Sequence, residues 1–495
     1  MEALFQQSHW IDRGKLSSLR RGYLPSQLFN IDGSKYGNKA AGDGVSALVG
    51  ASLQQLLKQL HEAGLRGVAD IVINHRCGDQ QDAEGRWNVF TSTGPLVLQR
   101  SWRCRDARGA RGPLVKLEVG HHAGGIEKRK SFAGVMDWQG WAITLGDRFS
   151  DGTGERGPGK YDGKFDAAPD IDHGTGRDRG SEHEKVQKSI EIWLRWLRLE
   201  LGFDAWRFDF VKGYGAQYVG KYCEKSEPAW AVGELWLDMA YDDNGLCYNQ
   251  DRHRQDTINW INGTGKASTA FDFTTKGTST VRQSSGILQE AVRNCQYWRL
   301  KDARGKPPGL LGWMPSHAVT FLDNHDTGST QAHWPFPNDK IMVGYAYILT
   351  HPGCYRRRTP PEWNEDSPIL SEQRPGDWGD DVRNKIGVLL KLRKDSGMQV
   401  DAPVKILIAE NDLYLAEIGS PALLRVALGP KVAPDYDRNY WEKGGSGHSY
   451  PESKELDSFC GLRFFDGLDG FVRKFVRVVT FQVRIHACPV TMTHD

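Results

Sequence analysis

Residues 202–210 read GFDAWRFDF, and this stretch decides the fold of the chain around it. Its apolar and aromatic residues predict a buried β-strand, in which side chains two residues apart point to the same side. Arg207 and Asp209 therefore share one face, while Trp206, Phe208 and Phe210 take the other face, toward outer helices. The preceding segment, His183–Leu201, carries apolar residues at helical spacing, and Gly202 ends that helix. A helix followed directly by a buried strand is the repeating unit of an α/β fold.

The same unit recurs along the chain. Further helical segments and short apolar strands are predicted at Ser52–Ala63, Val68–Ile73, Tyr214–Cys223, Ala229–Trp236, His317–Leu322 and Lys340–Leu349. Alternation of this kind predicts βα units around a parallel sheet. Polar residues follow the strands, at the carboxyl ends where parallel sheets and barrels carry their chemistry.

Two regions interrupt this pattern and set the predicted domain organisation. Residues 87–180 lack periodicity and are too long for a loop, so we interpret them as an inserted subdomain. From residue 400 the pattern changes to antiparallel strands, predicted within Lys405–Ile418 and Leu423–Leu428, and a half-buried strand at Val479–Ile485 has no identified partner. The predicted parts are 1–86 and 181–399 for the α/β domain, 87–180 for the insertion, 400–430 for a C-terminal β domain and 431–495 for an unmatched tail.

Composition excludes several classes of protein. The chain has 495 residues, of which 39% are hydrophobic and 25% charged, as is typical of a globular protein with more than one domain. A formal net charge of +2 argues against a nucleic-acid-binding protein, and no apolar run is long enough to cross a membrane. No secretory signal is visible, so a cytoplasmic or plastid location is expected. Eight scattered cysteines without zinc spacing are predicted to be reduced thiols.

Three acidic residues follow predicted strands and are candidates for catalysis. The guanidinium beside Asp209 favours the ionised carboxylate that a nucleophile needs, although Arg207 and Asp209 could equally form a structural ion pair. Glu234 follows a run of apolar and small residues, and a carboxyl group in such surroundings tends to stay protonated as a general acid. The alternative is an ordinary strand-end glutamate that faces solvent. Asp326 closes the motif LDNHD, where a further strand meets its loop.

Two histidines beside such strand ends are candidates for binding a ligand hydroxyl. His325 directly precedes Asp326, and His75 follows Asn74 at the end of the strand Val68–Ile73. Taken singly, each of them could equally be an ordinary core or loop histidine.

The motifs are more specific together than singly. The segments ADIVINH (69–75), GFDAWRFDF (202–210), AVGELW (231–236) and FLDNHD (321–326) resemble, in this order, the four signature regions of the α-amylase family of glycoside hydrolases. Six further segments are similar to the plant-type members: DGSKYGNKA (32–40), AAPDIDH (167–173), AFDFTTKG (270–277), NHDTGSTQ (324–331), WPFP (334–337) and GYAYILTHPG (344–353). The resemblance spans residues 22–353 and continues more weakly over 383–430.

The resemblance implies a fold and an activity. The implied fold is an α/β protein built on a (β/α)8 TIM-type barrel, with a domain B inserted after the third strand and a small antiparallel β domain at the C-terminus. The implied activity is the retaining endohydrolysis of α-1,4-glucosidic bonds in starch and related polysaccharides. The expected partner is therefore an α-glucan substrate (starch or maltodextrin), with neither nucleic acid nor membrane, and the expected state is a monomer.

The resemblance also implies roles for individual residues. Asp209 is similar to the nucleophile, Glu234 to the general acid/base and Asp326 to the group that stabilises the transition state. The residues implied to orient the nucleophile or bind substrate are His75, Arg207, Lys212, His325 and Tyr23.

A calcium ion is the implied cofactor, since calcium takes hard oxygen ligands. The implied ligands are Asn74, Asp170, the carbonyl group of Gly213 and Asp162. Such an ion would tie domain B to the barrel beside the cleft. Asp170 on its own could equally be a turn residue.

The sequence departs from the family pattern on one side of the implied barrel. Residues 11–21 are too few and too basic to hold both a helix and a strand, and residues 354–368 carry an Arg run and a Pro pair that disfavour a central strand. The barrel is therefore expected to be incomplete at strands 8, 1 and 2. The alternative function is a catalytically weak or inactive α-glucan-binding protein with a damaged barrel, and glycosyl transfer is a third possibility.

Overall fold

In the computed structural model the chain forms two compact units. The N-terminal unit comprises Glu2–Leu235 and Trp260–Ser268, and the C-terminal unit comprises Trp236–Asn259 and Thr269–Asp495. The residues that the structure describes are 28, 49–76, 102–105, 111–115, 142–144, 169–174, 181–280, 283–324, 326–327, 335–353, 379–430, 454–459, 462–466, 475–477 and 484–487. Residues 11–21 and 354–368, where the sequence departs from the family pattern, lie outside these ranges.

Helices and strands alternate in the N-terminal unit, as the sequence predicts. Its elements up to residue 235 are α1 (Val49–Glu62), β1 (Val68–Ile71), β2 (Trp102–Arg105), β3 (Arg111–Val115), α2 (Ser181–Trp196), β4 (Ala205–Phe208), α3 (Ala216–Ser226) and β5 (Trp230–Gly233). A π-helical turn, Leu197–Leu201, extends α2, and a 3-10 turn, Val211–Gly213, follows β4. Gly202 closes the π-helical turn with a φ of +93°, a conformation that a glycine adopts at little cost.

β1, β4 and β5 lie side by side and parallel, in that order. Asp70 lies opposite Arg207, and Arg207 lies opposite Val232. All four residues of β4 are buried, including Trp206 and Phe208 on the face away from Arg207. The apolar run of the sequence is therefore explained by a strand that is covered on both faces.

The C-terminal unit begins with short elements and ends with antiparallel strands. The elements from residue 236 onward are β6 (Tyr241–Asp242), β7 (Gly245–Leu246), α4 (Asp251–Gly263), β8 (Thr269–Phe271), α5 (Phe273–Lys276), β9 (Thr278–Thr280), β10 (Gln283–Ser285), α6 (Ile287–Arg293), α7 (Leu310–Trp313), β11 (Ala318–Val319), α8 (Ile341–Thr350), α9 (Gly379–Asp395), β12 (Val404–Ala409), β13 (Tyr414–Ile418), β14 (Leu424–Leu428), β15 (Lys454–Phe459), β16 (Leu462–Asp466), β17 (Phe475–Arg477) and β18 (Arg484–Ala487). β8 and β11 pair in parallel, and β11 is shorter than the predicted strand His317–Leu322.

An antiparallel sheet forms the C-terminal part of this unit, as the sequence predicts. Its strand order is β12-β13-β14-β18-β17. β18 pairs with β14 so that Ala487 lies opposite Leu424 and Arg484 lies opposite Ala427. Of the strand predicted at Val479–Ile485, residues 479–483 lie outside the described residues, and Arg484 and Ile485 belong to β18.

The core of the C-terminal unit is built around α8. Every residue of this helix is buried, and it belongs to one apolar cluster with side chains of α6, α9, β13 and β14. A helix that is apolar all round is expected at the centre of such a core. Within the described residues, no helix has the length and apolar character that crossing a membrane requires.

Candidate active site

The carboxyl ends of β4 and β5 place two carboxyl groups next to each other. Asp209 follows β4, and its N–H donates to the carbonyl of Ile71 at 3.0 Å, while the N–H of Glu234 donates to the carbonyl of Phe208 at 3.0 Å. The parallel ladder therefore continues one residue beyond the strands, and Asp209 lies directly opposite Glu234. Neighbouring strands are about 4.8 Å apart, so the two side chains leave the sheet side by side on one face.

Arg207 binds both of these carboxyl groups. Its Nη1 donates to Oδ1 of Asp209 at 2.5 Å, and its Nη2 forms an ion pair with Oε1 of Glu234 at 2.7 Å. The exposed side-chain fractions are 7% for Arg207, 10% for Asp209 and 7% for Glu234. A charge-assisted hydrogen bond in such a dry environment is short and strong, so the guanidinium fixes the position of the Asp209 carboxyl group and lies in contact with that of Glu234.

Asp70 is a third carboxyl group on the same guanidinium, and it is not among the predicted site residues. Its Oδ1 accepts a hydrogen bond from Nη1 of Arg207 at 2.7 Å, and its side chain is 10% exposed. A charged residue inside the apolar strand Val68–Ile71 is the signal that could have found it, because a buried carboxylate requires a partner.

Two of the predicted calcium ligands lie in contact where β1 ends. Nδ2 of Asn74 donates to Oδ1 of Asp170 at 3.0 Å, and the N–H of Ile171 donates to the carbonyl of Asn74 at 2.8 Å. Oδ1 of Asn74 is buried and has no hydrogen-bond partner among the residues described. It faces Gly213 so closely that a Cβ atom there would lie 1.8 Å away.

An oxygen atom without a partner, a carboxylate and a glycine that allows close approach fit the hard-oxygen ligand set of a calcium site. In the described part of the chain, no group of three or more His, Cys, Asp or Glu side chains is arranged to hold a metal ion. The fit therefore rests on the amide oxygen of Asn74, the carboxylate of Asp170 and backbone carbonyl groups.

Two predicted substrate-binding residues lie in the same unit. His75 is fully buried and forms an isolated antiparallel bridge with Asp170. Lys212 is half-buried in the 3-10 turn after β4, with its Nζ 5.0 Å from the ring centroid of Phe210. Phe210 itself has a φ of +46°, a strained conformation for a bulky residue, immediately after Asp209.

His173 is a second residue of this region that is not among the predicted site residues. Its Nε2 donates to the carbonyl of Ile73 at 2.8 Å, and its Nδ1 accepts from the hydroxyl of Tyr222 at 2.8 Å. Its ring also stacks on Tyr214 at a centroid distance of 5.0 Å. Burial lowers the pKa of His173 to about 4, although the bond to Ile73 opposes the shift. This neutral histidine connects the Asp170 loop to the end of β1 and to α3.

Asp326 lies in the C-terminal unit, after β11. It is half-buried, and its N–H donates to Oδ1 of Asn324 at 3.1 Å. The predicted site residues Tyr23, Asp162 and His325 lie outside the described residues. The N-terminal unit thus brings together Arg207, Asp209 and Glu234 and, separately, Asn74 and Asp170.

Parallel strands whose carboxyl ends carry buried, paired carboxyl groups are typical of one class of protein, the α/β enzymes that catalyse their reaction with two acidic side chains. The relatives of the chain specify the family. Probable alpha-amylase 2 of Arabidopsis thaliana is 37% identical over 443 residues, which cover 90% of this chain and 85% of that protein. Alpha-amylase 3, chloroplastic, of the same plant is 34% identical over 89% of this chain and 40% of its own length. The alpha-amylase type B isozyme of Hordeum vulgare is 43% identical over 145 residues, 29% of this chain and 83% of that sequence.

The chain therefore belongs to the α-amylase family of glycoside hydrolases. No family model matches it. The family resemblance that the four sequence motifs indicate is confirmed by these relatives.

Proposed function

We propose that this protein is an α-amylase that hydrolyses internal α-1,4-glucosidic bonds of starch and related α-glucans with retention of configuration. The observation that carries the proposal is the contact of one buried guanidinium with two adjacent carboxyl groups at the ends of β4 and β5. Retaining glycosidases require two carboxyl groups about 5–5.5 Å apart, one as the nucleophile and the other as the acid/base.

In the first step, Glu234, which has to take up a proton before cleavage, gives this proton to the glycosidic oxygen while the bond from that oxygen to C1 breaks. The carboxylate of Asp209 bonds to C1 and forms a covalent glycosyl-enzyme. In the second step, Glu234 takes a proton from water, the water oxygen bonds to C1, and Asp209 leaves. Two displacements at C1 return the α configuration.

Arg207 supports these steps through its position. Its bond to Asp209 holds the attacking oxygen in a fixed direction, and such preorganised contacts lower the cost of reorganisation during the reaction. We assign Asp326 to the stabilisation of the developing positive charge on the sugar ring. His75, Lys212, His325 and Tyr23 are assigned to substrate binding, with α-glucan as the substrate class.

We further propose that a calcium ion supports the site, with Asn74, Asp170, Asp162 and the carbonyl of Gly213 as its ligands. When bound, the ion would supply a positive charge that the oxygen ligands share. The chain's own contribution is to hold the Asp170 loop against the end of β1, through the amide of Asn74 and the ring of His173.

The proposed architecture is a (β/α)8 barrel in which 1–86 and 181–399 supply the βα units, 87–180 the domain B and 400–430 the C-terminal domain. The expected incompleteness at strands 8, 1 and 2 stays a prediction of the sequence. So do the monomeric state and the cytoplasmic or plastid location.

The test is an assay of the purified chain on soluble starch, with calcium and with a chelator. We expect release of short maltodextrins that carry the α configuration when observed by NMR immediately after cleavage. Asp209→Asn should lower kcat by at least about 10³-fold, as expected for the loss of a catalytic group. Asp243→Asn, in the exposed β6–β7 turn, is the matched control and should leave kcat unchanged. Starch binding without any release would favour the α-glucan-binding alternative.

A further inference from the structure

Three sequence motifs outside the paired carboxyl groups meet at one side chain, Asp323. Nζ of Lys276, from AFDFTTKG, donates to Oδ1 of Asp323 at 2.8 Å, and both side chains are 1% exposed. The N–H of Phe336, from WPFP, donates to Oδ1 at 3.2 Å and to Oδ2 at 3.0 Å. The hydroxyl of Thr327, from NHDTGSTQ, donates to Oδ1 at 3.1 Å. We call this arrangement the Asp323 clamp.

Lys276 reaches the clamp from a rigid turn. Asp272 caps the short helix α5, accepting from the N–H of Thr275 at 3.0 Å and from its hydroxyl at 2.8 Å. The same carboxylate accepts from the N–H groups of Leu310 and Leu311, both at 3.0 Å. Because four donors fix Asp272, the backbone that carries Lys276 is held in place.

The clamp continues into the turn that carries Asp326. Oδ1 of Asn324 accepts from the N–H groups of Asp326 at 3.1 Å and Thr327 at 2.9 Å. The N–H of Asn324 donates to the hydroxyl of Thr327 at 3.0 Å, and that hydroxyl in turn donates to Asp323. A continuous chain of hydrogen bonds therefore leads from Lys276 through Asp323 to the backbone of Asp326.

Global stability is a weak explanation for a charge pair at this depth. Replacing a buried ion pair by apolar residues is often neutral or stabilising, because desolvation offsets the attraction. Burial indeed lowers the pKa of Lys276, while Asp323 opposes that shift. Unlike an apolar contact, an ion pair fixes the relative positions of the two groups that form it.

We propose that Lys276 and Asp323 are positioning residues, which orient the carboxylate of Asp326 for the glycosidic reaction by fixing Asn324 and the backbone N–H of Asp326. The proposal rests on the proposed function, in which Asp326 stabilises the transition state. It adds that AFDFTTKG and WPFP contribute to catalysis through contacts with Asp323 rather than with substrate.

The test compares the double variant Lys276→Met/Asp323→Asn with the wild type. The double variant removes both charges together and so leaves neither partner as an unpaired buried charge. We expect kcat on an activated aryl maltooligosaccharide to fall by about 10²-fold with KM within twofold, because a small misplacement of a catalytic group costs rate rather than binding. Arg254→Met/Asp302→Asn, which neutralises another buried pair of the same unit at 2.5 Å, is the matched control and should keep kcat within twofold.

A cycle with Asp326→Asn separates positioning from folding. If the clamp acts through Asp326, adding Lys276→Met/Asp323→Asn to Asp326→Asn lowers the residual kcat by less than twofold. A full further 10²-fold loss in that background, or an unchanged kcat in the clamp variant alone, would overturn the proposal. An Asp326→Asn variant with wild-type activity would instead overturn the proposed function of Asp326, and the two failures are thus distinguishable.

Discussion

Arg207 is the residue on which the candidate site depends, because its guanidinium contacts Asp70, Asp209 and Glu234. The planar fork of an arginine suits this role, since its donors point in fixed directions. A lysine at this position would offer one mobile point charge in place of two directed nitrogens. Asp70 differs from the other two carboxyl groups because it lies within β1, one step before the strand ends.

At the residue scale we predict that Asp70→Asn lowers kcat on soluble starch by about 10- to 10²-fold, with little change in KM. The amide retains an acceptor for Nη1 but loses the charge that anchors the guanidinium, so Arg207 gains freedom to move. The measurement is steady-state kinetics. Asp204→Asn, at the opposite end of the same strand pair, is the control and should keep wild-type kcat. Equal losses in both variants would contradict a specific role for Asp70.

Period-two alternation in a single strand predicted that Arg207 and Asp209 share a face, and the structure places them in contact. The same reasoning could not connect Asp70 to them. That contact depends on β1 lying beside β4 with Asp70 opposite Arg207. The sequence of either strand alone does not determine the register between two strands that are distant along the chain.

At the element scale, the short connections after strands carry the candidate ligands. Asn74 follows β1 and Gly213 ends the 3-10 turn after β4, so these two adjacent strands bring the amide oxygen of Asn74 close to the α carbon of Gly213. The amide of Asn74 can lie this close to residue 213 only because residue 213 has no side chain.

We predict that Gly213→Ala weakens calcium binding. The added methyl group would lie within 2 Å of Oδ1 of Asn74, so the buried amide must turn away. In the wild type, a chelator should lower Tm, and in Gly213→Ala this calcium-dependent difference in Tm should shrink or vanish. Gly387→Ala, at an open position in α9, is the control and should retain the full difference. A wild-type Tm that is the same with calcium and with the chelator would contradict the calcium proposal.

The helices were predictable from apolar spacing because their backbone hydrogen bonds join residues four apart and need no distant partner. The segment Ser52–Ala63 corresponds to α1, Val49–Glu62, and Tyr214–Cys223 to α3, Ala216–Ser226. The strand predicted at His317–Leu322 shortens to Ala318–Val319. Past Val319 the chain enters the turn of Asp323 and Asn324, whose side chains accept backbone N–H groups in place of a neighbouring strand.

At the scale of the whole C-terminal unit, His351 joins the helical core to the antiparallel sheet. Its Nδ1 donates to the carbonyl of Tyr347 in α8 at 2.8 Å, and its Nε2 accepts from the hydroxyl of Tyr414 in β13 at 2.7 Å. Arg393 of α9 donates to the carbonyl of His351 at 2.6 Å. Burial lowers the pKa of His351 to about 3, although the bond to Tyr347 opposes the shift.

We predict an acid-sensitive stability that depends on this residue. Between pH 6.5 and 3 the unfolded chain binds a proton at His351 that the folded chain excludes, so the free energy of unfolding falls as the pH falls below 6.5. The slope from one such group approaches about 1.4 kcal/mol per pH unit. His351→Gln should reduce the slope between pH 6 and 4.5 by this amount in urea unfolding followed by tryptophan fluorescence.

Tyr414→Phe is the control for that measurement. It removes one hydrogen bond to His351 and should lower the free energy of unfolding by about 1 kcal/mol at every pH, while the titrating ring and the pH slope remain. An unchanged slope in His351→Gln would show that other groups cause the acid sensitivity.

The pairing of β18 with β14 also has a consequence for synthesis on the ribosome. β14 ends at Leu428, and its neighbour on that side begins only at Arg484. At about 5–20 residues per second, the ribosome needs roughly 3–11 s to make the intervening segment. During that interval the edge of β14 presents an unpaired row of N–H and C=O groups. Nascent chains on one messenger RNA can pair through these edges and aggregate until β18 emerges from the ribosome.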